Sequence, residues 1–259
     1  MKKEKYEEYN GLFGNATDYA VYHMSGKDAL VGAIVGVGIG MVVMMVYFDI
    51  LLLTLVTIPF FAFIGVKVYK SMLLEKRNKK LILQFRDMLE AISSSLGSGR
   101  NVGDAFLGAY NDMRAQYGEN ASIVHELEII VHGVSNNINI ESMLQDFATR
   151  SHNENIQNFS DVFMVANRRG GNIRQIIFET KNVINEKIMV EQDIQTVISG
   201  KKNELNIMMC LPFVVVNQAK AMQGNTAEDM LFGFVIKVVA FMMFALAYLI
   251  GKKMMKIEV

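Results

Sequence analysis

The chain has 259 residues, 51% of them apolar, with 26 basic and 26 acidic side chains and a formal net charge of +0. That neutral balance excludes the basic footprint of a nucleic-acid binder, and the lone cysteine, Cys210, excludes an internal disulfide framework. A mean hydropathy of +0.23 is high for a soluble protein. The excess sits in two blocks, residues 28–69 and 205–251, with ordinary globular polarity between them.

Residues 1–27 are polar and charged and lack the pattern of a cleavable leader. With Tyr6, Tyr9, Phe13, Tyr19 and Tyr22 among them, they are expected to be a cytoplasmic segment that is flexible or lies on the membrane surface. Residues 29–48 form an apolar run without a charge, about the ~20 residues a spanning helix needs. After a turn at Asp49, residues 50–66 form a second run, so 28–69 is expected to be a membrane hairpin. Gly32, Gly36 and Gly40 recur every fourth residue on one face of the first run. Such a small-residue stripe admits another helix close to the backbone. Three glycines in register make close packing against another helix the expectation, with a helix of the same chain among the candidates.

Residues 70–204 show helical periodicity and no strand pattern. Leu81, Phe85, Met88, Ile92 and Leu96 line one face of a first helix, which Gly97 and Gly99 stop. Asn101 and Asp104 form a capping pair opening the second, whose face is Val102, Ala105, Phe106, Ala109 and Met113. The third buries Ile123, Leu127, Ile130 and Val134, and the fourth, from about Asn139, buries Met143, Leu144 and Phe147. The fifth uses Ile156, Phe159, Phe163 and Ala166, with Arg168 and Arg169 in its last turn and Gly170 beyond. Asn172 caps a sixth, reaching about Gly200. Six amphipathic helices on short connections predict a compact bundle.

Residues 205–216 and 231–250 are the third and fourth expected spans, the latter carrying Lys237. Lysine clusters follow the second span, precede the third and follow the last. Positive flanks belong inside, and all three are inside only if the chain crosses four times. The expected architecture is therefore an all-α multi-pass membrane protein with four transmembrane helices and a cytoplasmic six-helix bundle. Both termini, including a tail at 252–259, are then cytoplasmic. Lys237, a charge inside the bilayer, is expected to snorkel or to pair with Asp49 or Glu228.

Signatures of catalysis are not found. Gly97-Ser98-Gly99-Arg100 has no preceding strand and no Walker pattern. His125 and His132, seven residues apart, lie about 10 Å apart along a helix, too far for one zinc ion. His23 and His152 read as isolated surface histidines. No catalytic, metal-binding or cofactor-binding residue is assigned.

Three stretches resemble the helix-start motifs of the type II secretion F family domain. They are Phe85-Arg86-Asp87-Met88-Leu89 running to Gly97-Ser98-Gly99-Arg100-Asn101-Val102 with Ala105-Phe106, Asn137 to Leu144, and Asn167-Arg168-Arg169-Gly170-Gly171-Asn172-Ile173. The resemblance covers about residues 72–250. A single domain copy behind a hairpin and before two spans is most similar to the TadB-like platform proteins of Tad (Flp) pilus systems. The first helix lacks the proline often found early in the family's, having Arg86 at that turn. The resemblance implies a platform in the bacterial inner membrane, without catalysis of its own. Its implied partners are a cytoplasmic hexameric secretion ATPase, a paralogous platform subunit or further copies of itself, prepilin subunits and the lipid bilayer. Partner-contact candidates are Glu90, Arg100, Asp104, Gly99, Gly170, Gly171 and Asn172, while Gly32, Gly36, Gly40 and Lys237 are candidates for membrane helix association. Other classes compatible with the sequence are a membrane-tethered signalling or scaffold protein and a small transporter.

Overall fold

The computed structural model describes residues 11–12, 16–22, 24–47, 51–222, 239, 242–243, 246 and 249–251. Its elements are α1 (Gly26–Tyr47), α2 (Leu51–Gly97), α3 (Val102–Tyr117), α4 (Ser122–Ser135), α5 (Ile140–Ser151), α6 (Glu154–Arg169) and α7 (Ile173–Met222). Among the described residues there is no strand, as the 3.6-residue periodicity requires. The chain divides into two compact units, one of residues 1–23 and 71–188, the other of 24–70 and 189–259. The helical unit thus ends at Ile188, short of the expected residue 204, and takes in the N-terminal segment.

In the first unit, Phe85, Met88, Leu89 and Ile92 of α2 are fully buried with Phe106, Ile123, Leu127, Phe159, Phe163 and Ile177. The rings meet edge-on or tilted, Phe85 against Phe159 at 5.5 Å and Phe106 against Phe163 at 6.2 Å, the arrangement aromatic quadrupoles favour. Local signals set the helix ends. Asn101 Oδ1 accepts from the Asp104 N–H at 2.8 Å, and Asn172 Oδ1 from the Gln175 N–H at 3.1 Å. Gly170 closes α6 in the left-handed region at φ 71°, and the Gly171 N–H donates to the Ala166 carbonyl at 2.7 Å. At Asn139, where α5 begins, the cap is backbone only, with no side-chain bond.

In the second unit, α1 and the start of α2 are long and apolar enough to cross a bilayer. They do not resemble the buried core helix of a soluble protein. Of the most apolar window, 17% is buried in α1 and 0% in α2, and Ile34, Ile39, Val42, Leu55, Phe60 and Phe63 are open to the surroundings. An apolar surface of that extent marks a face that contacts a membrane or another protein. α2 runs unbroken from this apolar stretch into the bundle, with Pro59 inside it. The third expected span begins within α7, which stays helical to Met222. The fourth, Lys237, Asp49 and Glu228 lie outside the described residues, save for a few helical positions between 239 and 251.

The glycine stripe is already occupied. A Cβ at Gly36 would stand 2.5 Å from the Phe61 carbonyl oxygen and 2.8 Å from Gly65 Cα, one at Gly32 3.0 Å from Tyr69 Cβ, and one at Gly40 would overlap the Phe61 ring. Gly65 returns the contact against the Gly32 carbonyl and Gly36. The partners descend along α2 as the glycines ascend along α1, which makes an antiparallel hairpin. The helix packed on this face is α2 of the same chain. Gly38, off the stripe, has nothing within 4 Å.

Candidate docking site

Successive helices of a bundle alternate in direction, so its odd-numbered connections collect at one end. The α2–α3, α4–α5 and α6–α7 turns do so here. A Cβ on Gly97 would lie 3.2 Å from Arg174 Nη2, and one on Gly103 would lie 3.5 Å from Val134 Cγ1. Asn167 Nδ2 donates to Glu141 Oε1 at 2.9 Å, linking the end of α6 to the start of α5. The turns at the ends of the three motif stretches, more than 70 positions apart in sequence from Gly97 to Arg174, thereby lie at one exposed end, while Phe85, Met88, Leu89, Met143 and Leu144 of the same stretches are buried.

The candidates distribute unevenly over it. Gly99, Arg100, Asp104, Gly170, Gly171 and Asn172 are exposed at this end. Asp104 is tied to Asn101, whose Nδ2 donates to it at 2.7 Å. Gly99 and Gly170 have no neighbour that a Cβ would meet, and their φ values of 82° and 71° account for glycine there. Glu90 does not belong to this surface. It sits about two turns up α2, where Lys181 Nζ approaches it at 3.5 Å. Among the described residues of these turns, Arg100, Arg168, Arg169 and Arg174 are exposed, and Asp104 and Glu141 are the acidic side chains beside them in sequence. The surface is cationic.

The Glu141 carboxyl is held below the usual carboxylate range, chiefly by the hydrogen bond from Asn167. A depressed folded-state pKa contributes stability that is present above the unfolded value and lost as pH falls through the folded one. We expect Asn167→Ala to lower the thermal midpoint slightly at pH 7. The difference from the native chain should shrink as the pH is taken below about 4; an offset that does not change with pH would show that the bond does not act through Glu141.

At the opposite end lies a feature that the sequence does not announce. Arg150 is fully buried, and its guanidinium donates to Glu126 at 2.7 and 2.5 Å, to Asp146 at 2.8 Å and to the Thr17 carbonyl at 3.1 Å. Burial works against the Arg150 charge, but the two carboxylates outweigh it and raise its pKa above the ordinary arginine value. Tyr19, 1% exposed, donates its hydroxyl to Glu126 at 2.8 Å, while its backbone N–H donates to the Arg150 carbonyl at 2.9 Å. Burial, then the Glu126 charge, push its phenol well above the usual tyrosine range. Residues 16–22 are thus not a flexible or membrane-surface segment; they are docked in the bundle. His152, read as isolated, stands 3.0 Å from the fully buried Asp18 side chain.

A sequence signal for this centre exists only in hindsight. Arg150 falls seven residues after Met143, on the same apolar face, and Asp146 stands one turn before it. Among the described residues, an apolar groove of about 340 Å3 is lined by Asp161, Val162, Val165, Ala166 and Ile176. On the exposed face of α4, Glu128 lies between the two histidines, 3.7 Å from His125 and 4.0 Å from His132. No family model, no curated protein and no solved structure matches the chain.

Proposed function

We propose that the chain is an inner-membrane platform of a Tad or type IV-like pilus, or of a type II secretion machine. In this reading it couples a cytoplasmic hexameric secretion ATPase to the extraction and assembly of prepilin subunits. The observation that carries the reading is the assembly of the turns of the three family-like motifs at one exposed cationic end of a bundle whose first helix continues into an apolar hairpin. A packed bundle joined to membrane helices without a break suits the transfer of motion from a partner to the bilayer. Four crossings with both termini in the cytoplasm follow from the lysine clusters at 67–80, 201–202 and 252–256. Docking through Arg100, Arg168 and Arg174 would place the partner at the end of the bundle away from Ser71 and Ile188, where the chain enters and leaves that unit.

Affinity purification of the tagged full chain from its native membranes tests this. The expected result is recovery of a hexameric ATPase. Combined Arg100→Glu, Arg168→Glu and Arg174→Glu replacement should cut that recovery about tenfold or more, as a loss of ~1.4 kcal/mol would. Undiminished recovery with the reversed charges would move the docking site elsewhere. Solute flux in liposomes without any ATPase would instead favour a transporter. A reporter fused after Glu141 that is reached from outside intact cells would overturn the orientation.

A further inference from the structure

The chemistry of the α1–α2 hairpin changes along its length. Phe61, Gly65 and Tyr69 are the α2 positions that meet the glycines of α1. At about 100° per residue, Val56, Phe60, Phe63, Lys67 and Lys70 stand on the opposite face of α2, turned away from α1. Val56, Phe60 and Phe63 are 66%, 62% and 69% exposed, and both lysines are exposed as well. That face therefore passes from bare apolar side chains to bare cations within one turn, between Phe63 and Lys67.

α1 repeats the pattern in the reverse sense. Lys27, Val31 and Ile34 share the face away from the glycine stripe, and all three are exposed. The helices are antiparallel, with Gly32 against Val66 and Tyr69, so Lys27 comes to the same end as Lys67 and Lys70. By helical rise the three lysines fall in a band about 8 Å deep. A bilayer headgroup layer is about 5–8 Å thick on each side of the hydrocarbon core. Between Ala29 and Val66 the sequence holds no lysine or arginine, so the cations gather at one end only. Asp28, the acid of this end, is four residues before Gly32 and so on the side of α1 that faces α2.

A partner that offers hydrocarbon and, immediately beyond it, negative charge complements such a face. A phospholipid joins the two in that order. An acidic protein groove would cover one side of the pair, whereas the outward faces of α1 and α2 look in opposite directions and a bilayer covers both. We infer that Lys27, Lys67 and Lys70 bind the phosphates of anionic phospholipids and give the hairpin a preference for negatively charged lipid. Their apolar stems lie along the acyl chains while the ammonium groups reach the headgroups. Each cation at a membrane surface contributes roughly fivefold to the attraction of an anionic lipid. The inference rests on the bilayer placement of the hairpin and not on the pilus role.

The full chain reconstituted in phosphatidylcholine vesicles with a minor fraction of phosphatidylglycerol tests this, with spin-labelled copies of either lipid as the probe. Electron spin resonance measures the share of labelled lipid immobilised at the protein. The native chain should hold phosphatidylglycerol about fivefold more strongly than phosphatidylcholine, and the preference should shrink as NaCl is raised to about 0.5 M. Changing Lys27, Lys67 and Lys70 together to Gln should bring the ratio below about twofold, and changing all three to Arg should retain it. An immobilised component equal for both lipids, or a preference unchanged in the glutamine variant, overturns the proposal while leaving the hairpin in the bilayer. No immobilised component, with the chain recovered outside the vesicles, overturns the bilayer placement too and gives the face to a protein partner. If the glutamine variant does not fold, the native chain decides: a preference indifferent to salt is not made by exposed charges and overturns the proposal.

Discussion

Replacing Arg150 by leucine is expected to destabilise the bundle by about 3–5 kcal/mol, the cost of removing one partner from a buried ionic cluster. The substitution leaves Glu126 and Asp146 in a site closed to solvent, with the Tyr19 hydroxyl and the Leu12 N–H as their donors among the described residues. Two buried carboxylates without a cation repel each other and are poorly solvated, so the folded state bears the whole penalty. Against the 5–15 kcal/mol of a typical domain, this is a large fraction. The thermal midpoint of the full chain in detergent, followed by the helical circular-dichroism signal, measures it. Arg150→Lys should be intermediate, since an ammonium keeps the charge but cannot present the two-pronged contact to Glu126. Replacing Arg150, Glu126 and Asp146 together by leucine should recover much of the loss, because no charge is then left unpaired. A single-mutant loss under about 1 kcal/mol, the range of exposed ion pairs, would mean that water reaches the cluster in the native protein.

The second large effect is expected at the hairpin. Gly36→Leu forces a side chain into a space where even a Cβ would approach the Phe61 carbonyl to 2.5 Å. The contacting atoms are backbone, so no rotamer change relieves the overlap and the helices must separate. Overpacking of this kind costs about 1–3 kcal/mol in a packed interior, and more where backbone has to move. Gly38→Leu, two positions along the same helix, meets nothing and should be silent. The readout is a crosslink. Gly32 and Tyr69 bring their β-positions within about disulfide range, 3.0 Å for a Cβ built on the glycine. With Cys210 replaced by serine, a Gly32→Cys, Tyr69→Cys chain should oxidise within one molecule. Adding Gly36→Leu should abolish that bond, and adding Gly38→Leu should leave it. Crosslinked dimers in place of internal bonds would restore the stripe to a partner.

Stability apart, these two sites differ in how visible they are in the sequence. The glycine stripe is legible because its period of four is a local property of one helix. Its occupant is not, since Gly65 and Phe61 of α2 are no more marked than their neighbours until the hairpin closes. The ionic centre is nearly invisible. Glu126 and Arg150 lie in helices whose polar residues are mostly solvated, and a charge on an apolar face reads equally well as a stripe edge. Only the arrival of Tyr19, more than a hundred positions earlier than Glu126, turns those side chains into a covered cluster.

What the sequence determined by itself was everything whose cause is short-range. Helical periodicity, the Asn101 and Asn172 caps, the left-handed Gly170 and the apolar lengths of α1 and early α2 all follow from residues within a turn or two of each other. No breaker separates the second apolar run from the first bundle helix, and one helix, Leu51–Gly97, results. Tertiary structure alone decided which surfaces meet. It filled the glycine stripe from within the chain, gathered the three motif turns at one end, and set the N-terminal segment in the core. Those outcomes depend on burial and charge pairing between distant segments, whose free energies appear only when the chain is folded and have no counterpart in local propensity.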